Sequence, residues 1–267
     1  MVEQQNFHEP NVGSTLGEYQ LISRLGDGGM GIVYEALYLP TGEAYALKWF
    51  RPGRADPFEI RNVFVHCSVL NHPGIVRFRD IDEKASFLVM DLVAGLALRW
   101  RLKQIKVLPL NEVLELAFSL CDSVQALHGA GVLHRDIRAI NIHMTQTGPV
   151  LIDIGVPYQM NIPEKKINLA RSGPAACIAP EVLMQHKFTV RSDVYSLAAV
   201  LYRALVGKSP ARNQAGEHLT RPAAEIGKSE ALLQILRVGL VQVSECRFLT
   251  VNDMACALKS VRRESFI

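Results

Sequence analysis

With 267 residues, the chain has room for one large domain or two modest lobes. Apolar residues make up 49% and charged residues 21%, near the globular average, which excludes a disordered chain, a collagen-like chain and a solenoid of charged helices. The net charge of +3 is too mild to require a nucleic-acid partner, though it permits a locally basic groove.

In chain order, residues 1 to 17 are polar and carry Gly, Asn and Pro, the composition of a tail, and they lack the basic start and apolar run of a secretory signal. From Tyr19 to Val89 the pattern is mostly strand-like: YQLISRL alternates, and GIVYEALYL and EAYALKWF are β-branched or aromatic runs parted by a Pro40/Gly42 turn. One helix is expected between Pro57 and Asn71, then a turn at HPG and two further strands, IVRFRD and FLVMDL. After Asp91 the spacing becomes helical. Val113, Leu116, Leu120, Val124 and Leu127 recur at steps of three and four, with Asn111 as expected cap and Gly129 or Gly131 as stop. Further helices are expected over 190–206 and within 229–263. No run reaches the roughly 18 apolar residues of a membrane span, since Arg203 and Arg237 cut the best candidates, so no membrane segment is expected in this chain. The five cysteines are widely spaced and form no C-x-x-C, which points to buried thiols in a reducing cytoplasm rather than to zinc.

Four motifs carry chemistry. Leu25-Gly26-Asp27-Gly28-Gly29-Met30-Gly31-Ile32-Val33 spaces glycines as G-x-G-x-x-G between two strands, where missing Cβ atoms let backbone N–H groups approach a polyphosphate. A strand follows it rather than a helix, so it is not a dinucleotide fingerprint. Lys48 stands in the apolar strand after it, with reach for α- and β-phosphates. His134-Arg135-Asp136-Ile137-Arg138-Ala139-Ile140-Asn141 follows the long helix, and Asp153-Ile154-Gly155 follows the strand VLI. Ala179-Pro180-Glu181, Asp193 and Arg247 come after them in order.

This succession resembles a eukaryotic-like (bacterial Hanks-type) serine/threonine protein kinase domain over about Tyr19 to Val261, with the glycine loop in its bacterial GxGGMGxVY form. The resemblance implies an α+β, two-lobed fold: a tail over 1–18, a small antiparallel-sheet N-lobe with one main helix over about 19–90, a hinge at 91–95, and a larger, mainly helical C-lobe over about 96–263. It implies ATP and Mg²⁺ as cofactors and a protein substrate. Leu25, Gly26, Gly28, Gly31, Val33, Ala46, Met90, Asp91 and Val93 would surround the nucleotide, and Lys48 would hold its phosphates. Asp136 would orient the attacking hydroxyl, Arg138 would meet the γ-phosphate, and Asn141 and Asp153 would hold the metal. Asp193 would bond the loop backbone, and Glu181 with Arg247 would form a buried structural ion pair.

The sequence also departs from that family. The helix glutamate expected nine residues before His72 is Val63; Glu59, one turn earlier on the same face, either substitutes or is a solvated first-turn residue. Arg138 replaces the usual lysine, and Pro174 replaces the usual threonine in the substrate loop beside Cys177. Ser172 and Tyr158 are the hydroxyl residues of the 153–181 segment, and Ser172 reads as a turn residue beside Gly173. These departures define the alternative: a pseudokinase that binds nucleotide and regulates a protein partner. The basic, Trp-bearing run Arg99–Lys106 reads as the wet face of a helix at the cleft rim; it could also dock an acidic partner or nucleic acid. His128, His143 and His186 show no metal-like grouping and receive no role.

Overall fold

A computed structural model describes residues 9–155, 176–212, 218–219 and 229–264. The chain divides into two compact units, one built from residues up to 71 and 76–93, the other from 72–75, 94–155 and the described residues from 176 onward.

The first unit is a six-stranded sheet, ordered β1-β2-β3-β4-β6-β5. Its strands are β1 (Thr15–Leu16), β2 (Tyr19–Asp27), β3 (Gly31–Tyr38), β4 (Glu43–Phe50), β5 (Phe78–Ile81) and β6 (Phe87–Asp91). Side chains alternate across such a sheet. Ile32, Tyr34 and Ala36 of β3, Leu47 and Trp49 of β4, and Phe87 and Val89 of β6 therefore share one face, and with Tyr19 and Leu21 they form a buried core. The segment read as a tail is partly structured. Thr15 and Leu16 pair with β2, Gly13 N–H donates to Leu21 O at 2.7 Å, and Tyr34 Oη donates to Pro10 O at 2.6 Å. An edge strand offers unpaired backbone groups to any neighbouring segment, and composition alone does not show that.

Helix α1 (Pro57–Ser68) starts where expected because Pro57 pre-sets the first turn and Asp56 accepts from Phe58 N at 2.9 Å. It buries Ile60, Val63 and Cys67. The expected strand IVRFRD forms only over β5; Ile75 makes an isolated parallel bridge to Leu151 instead.

The second unit holds a three-stranded sheet, β7 (Leu96–Ala97), β8 (Ile142–Thr145) and β9 (Gly148–Leu151), and a short hairpin, β10 (Ala211–Arg212) with β11 (His218–Leu219). Its helices are α2 (Leu98–Ile105), α3 (Leu110–Gly129), α4 (Pro180–Gln185), α5 (Val190–Val206), α6 (Glu230–Gly239) and α7 (Val251–Glu264). All five expected apolar positions of α3 are buried. Its cap is not Asn111: the helix begins at Leu110 behind Pro109, whose fixed φ suits a helix start, so Asn111 lies inside the first turn. Helix α5 is central, with 13 of its 17 residues buried; Thr189 and Ser192 close a capping box at its start, and left-handed Gly207 ends it. Among the described residues, no helix is long and apolar enough to cross a membrane.

Candidate active site

The face of the first unit's sheet opposite its core carries a second set of residues. Val33, Lys48 and Leu88 are register partners across β3, β4 and β6, as are Glu35, Ala46 and Met90. Val33, Ala46, Lys48 and Met90 thus share one face. Lys48 is only 5% exposed, and its Nζ stands 5.5 Å from the Phe50 ring centroid. Burying an ammonium in a central strand is unfavourable unless it is paired or hydrogen-bonded. Asp91 follows Met90; its N–H donates to Arg77 O at 2.9 Å and its carboxylate takes a two-point contact from Arg79 at 2.5 and 3.0 Å. That amide is already committed, so only part of the backbone expected to face a purine remains open at Asp91. Val93 follows beyond the strand, half-buried.

The glycines differ in what they require. A Cβ on Gly31 would lie 1.9 Å from Trp49 O, so the β3–β4 approach itself demands glycine there. A Cβ on Gly26 would meet nothing within 4 Å, and one on Gly28 only Gly31 O at 3.8 Å. Internal packing does not explain those two glycines. Leu25, half exposed, precedes them. Arg51, which sequence reasoning missed, holds this loop. Its N–H donates to Met30 O at 2.8 Å, Nη2 to Asp27 Oδ1 at 2.8 Å, and Nη1 to Gly28 O. Glu9 joins Arg51 at 3.8 Å and pairs with Arg24. Nothing in the glycine motif itself points to Arg51, which lies 20 residues after Gly31.

In the second unit the 134–141 loop is built around Asp136. Asn141 Nδ2 donates to Asp136 O at 2.9 Å and to its Oδ2 at 2.8 Å. Arg138 Nη2 donates to Asp136 Oδ2 at 2.7 Å, while Nε lies 2.6 Å from Oδ1 without hydrogen-bond alignment. The loop is clamped from α5: Asp193 accepts from His134 N at 2.8 Å, Arg135 N at 2.9 Å and His128 Nε2 at 2.8 Å. Asp193 is 2% exposed, so these charge-assisted bonds lie out of water. His128, given no role above, is therefore part of the clamp; its position in the last turn of α3 was the only signal. His134 is fully buried. Burial outweighs the nearby Asp193 and Asp136 charges and pushes its imidazole below the ordinary value, and its Nδ1 accepts from Asp136 N at 3.4 Å.

Arg135 (φ 67°) and Asp153 (φ 62°) are non-glycine residues in the left-handed region, a strained conformation that surrounding bonds must maintain. Gly155 N donates to His134 O at 3.0 Å, and Arg135 Nη1 to Gly155 O at 3.1 Å. Ile152 N donates to Asn141 O at 3.0 Å, which ties the chain entering Asp153 to the same loop.

Glu181 and Arg247 form a bidentate pair at 2.7 and 2.8 Å. Arg247 also donates to Val241 O, Arg191 O and Gln242 O and stacks 5.0 Å over Tyr195. Burial raises the Glu181 carboxyl, but Arg247 and backbone donors outweigh it and hold the group below the usual glutamate range. His186 ends α4 in the left-handed conformation, and His143 sits half-buried in β8. Val63 is 4% exposed in α1, and Glu59 is half-buried in its first turn rather than fully solvated. Cys67 and Cys121 are buried, which pushes both thiols up to about 12; Cys177 is half-buried, and Cys246 and Cys256 are exposed, contrary to a uniformly buried set. Tyr158, Ser172, Gly173 and Pro174 lie outside the described residues.

A family model for the protein kinase domain matches residues 19–249. The chain belongs to the protein kinase family. Relatives of this kinase domain include the serine/threonine-protein kinases PknA of Mycobacterium tuberculosis, 32% identical over 273 residues, and PknD of the same organism, 31% identical over 266 residues. These matches cover 95% and 93% of this chain but 63% and 40% of the relatives, so the chain spans less than two thirds of their length. They place the kinase domain in the bacterial Hanks-type serine/threonine group. The crystal structure of the Mycobacterium tuberculosis PknI kinase domain is similar, with a TM-score of 0.74 at 25% identity, covering 94% of this chain and 99% of that one. Membership implies a two-lobed kinase fold, ATP with a divalent metal, and protein substrates.

Proposed function

We propose that this kinase domain transfers the γ-phosphoryl group of ATP, with Mg²⁺, to serine or threonine hydroxyls of a protein substrate in the cytoplasm. The observation that carries the reading is the 134–141 loop, where Asp136 is oriented by Asn141 and Arg138 while Asp193 fixes the backbone beneath it. Such preorganisation is most of what phosphoryl transfer asks of a protein.

In this reading Asp136 orients the acceptor hydroxyl and takes its proton. Arg138 holds Asp136 and meets the γ-phosphate, in a wider fork than lysine would present. Lys48 holds the other phosphates from the sheet face that also carries Val33, Ala46 and Met90, which enclose the purine. Gly26 and Gly28, whose missing Cβ atoms the fold does not need, let backbone close on the phosphates. Asn141 commits its amide nitrogen to Asp136, which leaves its carboxamide oxygen to join Asp153 as metal ligands. Mg²⁺ is commonly held by one or two carboxylates plus phosphate oxygens, a set that Asp153 and the Asn141 oxygen would begin. When bound, the metal–nucleotide complex supplies the phosphoryl group and neutralises charge developing on its oxygens.

Transfer of label from γ-labelled ATP to the protein and to a generic protein substrate tests this, with Asp136→Asn as control. Transfer well above the control is expected, with a fall of about 10²–10⁴-fold in the variant. Buried Val63 at the expected glutamate position favours the second reading, a nucleotide-binding module that regulates a protein partner. Label equal to the control, with ATP still raising the melting temperature, would establish that reading instead.

A further inference from the structure

Helix α2 reads Leu-Arg-Trp-Arg-Leu-Lys-Gln-Ile and has no acidic residue. The fold uses Leu98 and Leu102, which are 0% and 2% exposed. It does not use Trp100, which is 45% exposed. Arg99 Cζ and Lys103 Nζ each stand 5.4 Å from the Trp100 ring centroid, so two cations flank one exposed indole. Arg101 differs, since it turns to Glu112 at 2.5 Å. Among the described residues Arg99 and Lys103 carry no ion pair.

Part of this arrangement works against the helix. Like charges four residues apart repel, and Arg99 in the first turn opposes the helix dipole, although Lys103 in the last turn suits it. An exposed indole forgoes the burial that normally favours tryptophan. A carboxylate between Arg99 and Lys103 would remove the repulsion, and an apolar side chain beside it would cover the ring. The cluster is also tied to the catalytic loop: Arg99 N–H donates to Ala139 O at 2.8 Å, three residues from Asp136. Leu96, 67% exposed in β7 two residues before the helix, extends the apolar part.

We propose that Arg99, Trp100 and Lys103 form a docking surface for an acidic segment of the protein substrate. The proposal rests on the reading of Asp136 as the residue that receives the acceptor hydroxyl. Two unpaired cations and one ring are too few for binding driven by counterion release from nucleic acid, whereas they match a short run of Asp or Glu beside an apolar residue.

The test uses two fluorescent serine peptides, one flanked by Glu and Leu, the other with each Glu replaced by Gln. Both are assayed for binding by anisotropy and for transfer. The wild type should bind the acidic peptide about tenfold more tightly, as two partly exposed ion pairs allow, and should show the same preference in kcat/KM. In R99E/K103E the preference should disappear and a Lys-flanked peptide should gain, while W100A should weaken the acidic peptide without inverting the preference. If the double variant melts early, R99Q/K103Q replaces it. Equal binding of the two peptides by the wild type would overturn the proposal. So would a preference that survives charge reversal, or tighter binding of single-stranded RNA than of the acidic peptide. No transfer by the wild type on any peptide, with the binding preference intact, would remove the catalytic reading and leave the docking surface standing.

Discussion

The glycine loop at 26–31 and the loop at 134–141 are held in opposite ways. Arg51, Asp27 and Glu9 secure the first with side chains that are 29%, 54% and 39% exposed, where water competes for every bond. Asp193, 2% exposed, secures the second, with His128 and two successive backbone amides bonded to one carboxylate. Buried, multiply bonded charge makes geometry a property of the fold itself. Exposed pairing leaves geometry adjustable, so that a ligand can complete it. In the proposed function, the residue that would receive a proton sits in the rigid region, and the backbone that would close on phosphates sits in the adjustable one.

The largest expected effect tests buried, multiply bonded charge at a second place, the Glu181–Arg247 pair. Glu181→Ala would leave the Arg247 guanidinium buried without its counter-charge and should cost about 3–5 kcal/mol in urea unfolding. A loss under about 1 kcal/mol would mean that the backbone carbonyls around Arg247 suffice. Next, Gly31→Ala sets a methyl against Trp49 O and should cost about 1–3 kcal/mol, whereas Gly26→Ala should leave stability within about 0.5 kcal/mol and raise the KM for ATP. Equal stability losses would erase the distinction between a glycine the sheet needs and one the ligand needs.

Acid should act on these buried groups in two stages. His134 stays neutral in the fold, whereas an unfolded imidazole binds a proton as pH falls through 6.5; stability should drop from there towards the depressed folded value and then level off. Glu181 is held below its ordinary value of 4.5, so its contribution should persist to that pH and fade only as pH falls through the folded value. A urea midpoint unchanged between about pH 7.5 and 5.5 would contradict the first stage. The smallest effect tests the adjustable region: Arg51→Ala should raise the KM for ATP up to about fivefold with little change in melting temperature.

The sheet was legible from alternation, because the inward set Ile32, Tyr34, Ala36, Leu47 and Trp49 follows a strict period of two, and α3 was legible from its period. Asp136, Asn141 and Asp193 were visible as residue types at given spacings. What tied them together was not. His128 reaches Asp193 across 65 residues, and Arg51 reaches Gly28 across 23. Such partners are set by packing geometry, and a lone His or Arg carries no local pattern. The pairing of Thr15 and Leu16 with β2 was hidden for the same reason, since edge pairing depends on backbone groups that every residue shares.

The two sides of β3 differ in regularity. Between β2 and β3 the pairing shifts twice, between Leu21 and Ser23 and between Arg24 and Gly26, whereas β3 and β4 pair without a break from Gly31–Phe50 to Tyr38–Glu43. The uninterrupted hairpin works as a ruler that sets which surface of the sheet Lys48 emerges from. Deleting a single residue from the 39–42 turn would turn the ammonium towards Leu47's side and bring an apolar neighbour to its place, a frameshift in space that could silence the protein while its strands still formed.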